Sequence, residues 1–200
     1  MSSIRRFPIL ALVILIIGVV AIASLVALFL FSTALNPSSN VISIAQAKQS
    51  ADNYVAGVSS ELIVAEIMEF QNNFYVRVQE KTTGVNAFEL LVDRYAGRVT
   101  LEPGPNMMWN TKYGMMGGSG RTPTDNMPVS TQQATEYAQT WLDANMPGTK
   151  VENPEIFYGY YTIDVSRNGA TYGMLSVSGY SGEVWYHTWH GQFIAETEYD

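Results

Sequence analysis

The chain has 200 residues, 47% of them hydrophobic, with no cysteine and a formal charge of −7. The lack of cysteine removes disulfide scaffolds, thiolate nucleophiles and thiolate metal sites. The acidic balance argues against nucleic acid as a partner, because phosphate-backbone binding needs clustered Lys and Arg.

Residues 7–31 carry no charge, and Ser24 is their only hydroxyl. At about 1.5 Å per residue such a helix reaches roughly 37 Å, enough to cross a hydrocarbon core of about 30 Å. A cleaved leader has a shorter apolar region of about 7–15 residues, so residues 1–35 are expected to form a cytoplasmic stub and a transmembrane anchor. Arg5 and Arg6 precede the apolar run and the first cation after it is Lys48. That asymmetry predicts a single-pass cell-membrane protein with its N-terminus in the cytoplasm and its C-terminal region extracytoplasmic. All 18 acidic residues and 9 of the 11 Lys and Arg lie beyond the span, so the outward part carries −9.

Residues 36–40 form a polar linker, and beyond it the chain repeats itself. Placing Ile42 on Val129 aligns Ser43 with Ser130, Gln46 with Gln133, Ala47 with Ala134, Ala51 with Ala138 and Tyr54 with Trp141. The same offset brings Phe70 onto Phe157, Val76 onto Ile163 and Val78 onto Val165. A two-residue deletion near residues 82–86, in a hairpin-type sequence, then matches Val92 with Val177, Gly97 with Gly182 and Val99 with Val184. Each copy opens with Ser at an N-cap position followed by small and aromatic residues at helical spacing. Alternating segments follow, 62–69, 74–79 and 88–92 in the first copy and 151–157, 160–165 and 172–177 in the second. Period-two alternation predicts strands with one face buried. The expected fold class is α+β: two tandem modules, each a helix packed across an antiparallel sheet, at 41–104 and 128–193. A Met- and Gly-rich segment, 105–127, connects them, and 194–200 reads as an acidic tail.

Several segments resemble the PepSY family. They are Ser43-Ile44-Ala45-Gln46-Ala47-Lys48, Phe74-Tyr75-Val76-Arg77-Val78 and Leu91-Val92-Asp93-Arg94-Tyr95-Ala96-Gly97-Arg98-Val99 in the first copy. The second copy has Tyr161-Thr162-Ile163-Asp164-Val165 and Val177-Ser178-Gly179-Tyr180-Ser181-Gly182-Glu183-Val184, with Ser178 where Asp93 stands. The resemblance implies two PepSY/cystatin-like repeats and a non-catalytic module that restrains a peptidase or binds another protein partner. It carries no set of functional residues.

Two segments stand apart from the repeat, 105–118 and 185–193. They are themselves similar, since Trp109/Tyr186, Thr111/Thr188, Tyr113/His190 and Gly114/Gly191 coincide after an extra eight residues in the first copy. Met107, Met108, Met115, Met116, His187 and His190, with nearby indoles, offer soft ligands for copper as Cu(I). Methionine more ordinarily fills irregular apolar seams. His187 and His190 stand three apart on what reads as the continuation of a strand, where they would point to opposite faces.

No enzyme is expected. Gly117-Gly118-Ser119-Gly120 lacks the spacing of a nucleophile elbow, and Glu89, Asp93, Asp164 and Glu183 read as solvated carboxylates. The preferred expectation is a membrane-anchored binding or regulatory protein that presents a surface rich in Tyr and Trp to a protein partner. Copper handling is the alternative, and no cofactor is expected otherwise.

Overall fold

The computed structural model describes residues 40–115 and 127–199. The first half runs α1 (Ile44–Val58), β1 (Leu62–Phe70), β2 (Asn73–Glu80), β3 (Asn86–Asp93) and β4 (Val99–Leu101). After a short helical turn, α2 (Pro105–Met108), the second half repeats the order. It contains α3 (Thr131–Asn145), β5 (Thr149–Phe157), β6 (Tyr160–Arg167), β7 (Ala170–Ser178) and β8 (Val184–Tyr186), and a last strand, β9 (Phe193–Glu198), follows. Ile44 thus corresponds to Thr131, Leu62 to Thr149, Asn73 to Tyr160 and Val99 to Val184.

Both long helices start with the same capping box. Ser43 and Ser130 accept from the backbone N–H of Gln46 and Gln133, whose side chains reach back to the cap backbone, satisfying N–H groups that a helix start otherwise leaves orphaned. The β3–β4 and β7–β8 connections are also built alike. Asp93 accepts from the N–H groups of Tyr95 and Ala96, and Ser178 accepts from those of Tyr180 and Ser181. The replacement of Asp93 by Ser178 therefore keeps the turn. Each turn closes on a glycine with φ near +70°, Gly97 and Gly182, a conformation that side chains with a Cβ resist.

The strands form one sheet in the order β8-β7-β6-β5-β3-β2-β1-β9, with β4 on β3. All neighbours are antiparallel except β3 and β5, whose parallel pairing of Asn86 with Phe157 joins the halves. Alternate residues of each half pack under its helix. Phe74, Val76, Val78, Phe88, Leu90 and Val92 lie beneath Ala47, Ala51 and Val55 of α1. Tyr161, Ile163, Val165, Leu175 and Val177 lie beneath Ala134, Ala138 and Leu142 of α3.

The other face departs from the expectation of one solvated side. The halves turn these faces toward each other, so that Met174 of β7 packs with Met68, Phe70 and Tyr75 of β1 and β2. Thr162 and Tyr160 of β6 reach Glu89 of β3. Polar residues that alternation assigns to water are thereby enclosed in a seam. Glu89 is 0% exposed.

Two further expectations are corrected. Residues 194–198, read as part of an acidic tail, lie in β9, which pairs antiparallel with β1. The membrane anchor finds no support, because among the described residues no helix is long and apolar enough to cross a membrane. Residues 7–31, on which that expectation rests, lie outside the described residues. The single-pass topology, the extracytoplasmic location and the membrane partner go with the anchor and play no part in the functional reading.

Candidate metal centre in the inter-repeat seam

Glu102 and His187 directly follow β4 and β8 and occupy equivalent places in the two copies. The backbone secures both in the same way: Glu102 N–H donates to the Glu89 carbonyl at 3.0 Å, and His187 N–H to the Met174 carbonyl at 2.9 Å. Each side chain is delivered into the seam from its own half. β8 ends at Tyr186 and residues 188–190 turn, so His187 and His190 do not take the opposite faces that a continued strand dictates. The turn returns His190 to the same carboxylate.

His190 Nε2 lies 3.0 Å and His187 Nδ1 3.4 Å from Glu102 Oε1. The three residues are 0–2% exposed, and one ligand atom from each lies within 4.8 Å of the others. Among the described residues, Trp189 Nε1 donates to the Glu102 carboxylate, at 2.9 Å to Oε1. Glu102 Oε2, His187 Nδ1 and His190 Nε2 are buried without any hydrogen-bond partner. Orphaned buried polar atoms are costly and uncommon, and here three converge.

The surroundings set the tautomers. Asn73 donates through Nδ2 to the Trp189 carbonyl at 3.1 Å, which leaves its Oδ1 to accept from His190 Nδ1 at 2.8 Å. His190 therefore turns a bare Nε2 toward Glu102. Thr162 Oγ1 donates to Glu89 at 2.7 Å, so the Ser176 hydroxyl, 3.1 Å away, donates to Thr162 and accepts from His187 Nε2 at 2.9 Å. His187 then presents a bare Nδ1. The rings are held flat as well, His190 stacked on Phe70 at 4.5 Å and His187 on Trp189 at 4.7 Å between centroids.

Two imidazole lone pairs and a carboxylate facing one another in a buried seam are unfavourable, and either a shared proton or a metal ion between them relieves this. Burial lowers the pKa of His190, against the pull of Glu102, which favours the neutral, ligating ring. Burial raises the pKa of the Glu102 carboxyl, and the imidazoles beside it, when they carry a proton toward it, bring it well below the usual carboxylate range. The donor set of two His and one Glu suits Zn2+ and neighbouring divalent transition metals. The Nδ1–H···Asn73 and Nε2–H···Ser176 contacts are the outer hydrogen bonds that orient ligating histidines.

The soft Cu(I) set is not assembled. Met108 and Met115 are 57% and 72% exposed, away from imidazoles that are fully enclosed. Met107 is half-buried in α2, and Met116 lies outside the described residues. Of the expected ligands, His187 and His190 come together among the described residues, and their third partner, Glu102, is not among the residues that sequence reasoning singled out. The sequence signal for Glu102 is its repeat register with His187, which appears when the copies are continued past Val99 and Val184 without a gap. Aligning Trp109 with Tyr186 hides it, and the two differ in structure, Trp109 capping α2 and Tyr186 ending β8.

The aromatic partner surface also loses its support. Of 12 Tyr and 4 Trp, only Tyr95, Tyr137 and Tyr172 are exposed. Tyr75, Tyr158, Tyr160 and Tyr161 are buried and the others half-buried, so fully exposed rings are few.

No family model matches the sequence, and no curated protein matches it. Among solved structures it is similar to the Bacillus megaterium YpeB C-terminal domain, at 10% identity and a TM-score of 0.27, over 73% of this chain and 62% of that one. This is a distant, partial structural match.

Proposed function

We propose that this domain is a non-catalytic metal-binding module that takes up one divalent transition-metal ion of the Zn2+ class at Glu102, His187 and His190. The observation that carries the reading is the convergence of three buried ligand atoms, each without a hydrogen-bond partner. The triad supplies three protein ligands, which a water completes to a tetrahedral set. Because Glu102 belongs to the first copy and both imidazoles to the second, the ion ties the repeats together across the seam. Membership of the PepSY family is part of the proposal. It is supported by the paired capping boxes and the helix-then-strands order of each half.

The test is titration of the chelator-stripped full chain with Zn2+, and with Co2+ for its ligand-field spectrum. One ion per chain is expected, with a tetrahedral Co2+ signature and a rise in stability of about 2.7 kcal/mol at a hundredfold excess over Kd. Glu102→Gln, which keeps the side-chain shape, abolishes stoichiometric binding. Binding that persists in Glu102→Gln and in His190→Gln, or no binding to the wild-type chain, overturns the proposal.

A further inference from the structure

A second charged cluster lies on the same inner face, where β9 docks on the first half. Arg77 of β2 is its only cation among the described residues. Its Nε donates to Glu66 of β1 at 2.9 Å, its Nη2 to Glu198 of β9 at 2.9 Å, and its Nη1 faces Glu155 of β5 at 3.4 Å. Asn86 links the same Glu155 to the network at 2.9 Å. Asp164 of β6 and Glu196 of β9 face the group as well, and Tyr75 of β2 stands beside Arg77 and Glu66. Five carboxylates from four strands, drawn from both repeats and the last strand, thus share one guanidinium.

Their placement matters for β9. It has a single neighbour in the sheet, β1, and its ladder sets Glu198 directly opposite Glu66, a like-charged cross-strand pair that is destabilising when both are ionised. Glu66 and Arg77 are enclosed, whereas Glu198 and Glu155 are about half-exposed at the rim. Beyond the cluster the strand is held by the Tyr199 N–H to Ala65 carbonyl bond and by Lys48, 4.8 Å from the Tyr199 ring.

We propose that β9 is a pH-gated latch, docked on β1 while the enclosed acids of this cluster hold protons and released as they ionise against one guanidinium. The direction follows from the environment. Burial pushes Glu66 up to about 7 and Asp164 up to about 8, each raised further by neighbouring carboxylates and lowered by Arg77. Burial and Glu66 raise Glu198 also. Below these values the cluster is near balance. Above them, four charges go uncompensated, and of the strands that carry the cluster the one with a single sheet neighbour, β9, yields first.

Hydrogen exchange on the full chain, kept metal-free with chelator, tests this at about pH 5.5 and about pH 9 after correction for intrinsic rates. Peptides covering residues 193–199 are expected to lose protection by about tenfold or more at the higher pH, the equivalent of one pKa unit of coupling. Peptides covering β6 and β7 keep theirs. In the double variant Glu66→Gln, Asp164→Asn the loss disappears. Equal protection of β9 at both pH values, an equal loss in β6 and β7, or a loss that survives the double variant each overturns the latch.

Discussion

Glu89 shows how far a single side chain can depart from its ordinary setting. It is fully buried, with the hydroxyls of Tyr75, Tyr160 and Thr162 at 2.7–2.9 Å from its carboxyl oxygens. Burial and the nearby Glu102 push its pKa well above the usual carboxylate range, because charge in a dry seam is disfavoured. A neutral acid at this point is close in shape and polarity to an amide. Glu89→Gln is therefore expected to cost no more than about 1 kcal/mol in urea denaturation, whereas Glu89→Ala strands three hydroxyls and costs about 3 kcal/mol or more. Equal losses from the two variants would show that the carboxylate is ionised.

Among the elements, the two long helices make a matched pair. Their caps have nearly the same backbone, φ −73° and ψ 159° at Ser43 and φ −73° and ψ 162° at Ser130, and the same reciprocal bonds. Ser43→Ala and Ser130→Ala should each cost about 1 kcal/mol of stability, read as a shift in the denaturation midpoint at unchanged slope. A much larger cost at one cap would mean that it also supports the contacts around it. The β2–β3 connection is held differently, since Glu80 takes Lys112, Thr83 and Tyr113 as partners and thereby pins the segment after α2.

At the scale of the whole molecule, opposing groups define a pH window. Glu66 and Asp164 have folded pKa values of about 7 and 8, above the ordinary 4.5 and 3.8. Their contribution to stability is fully present below about pH 4 and is lost as pH rises through those folded values. Glu80 runs the other way. Burial opposes its ionisation, but Lys112 and the Thr83, Tyr113 and Tyr158 hydroxyls hold it at about 2, so its contribution is present above 4.5 and lost as pH falls toward 2. Stability of the metal-free chain should therefore peak at mildly acidic pH and decline through neutrality. Denaturation midpoints across pH check this, and a flat profile from about pH 5 to about pH 9 would contradict it.

Much of each repeat is legible locally. Ser43 with Gln46 and Ser130 with Gln133 mark the helix starts, alternation marks the strands, and Gly97 and Gly182 mark the turns, because each depends on neighbours in sequence. Alternation reports which side of a strand is apolar, and the helix above it supplies that side's cover. It says nothing of what covers the other side. Glu89 accordingly reads as solvated until the facing repeat encloses it, Asp164 is half-buried on the same face, and residues 194–198 read as a tail until β1 offers an edge. Only tertiary structure brings Glu102 to His187 and His190, since the turn after β8 redirects His190 and the two repeats must meet before three ligands from separate halves share one space.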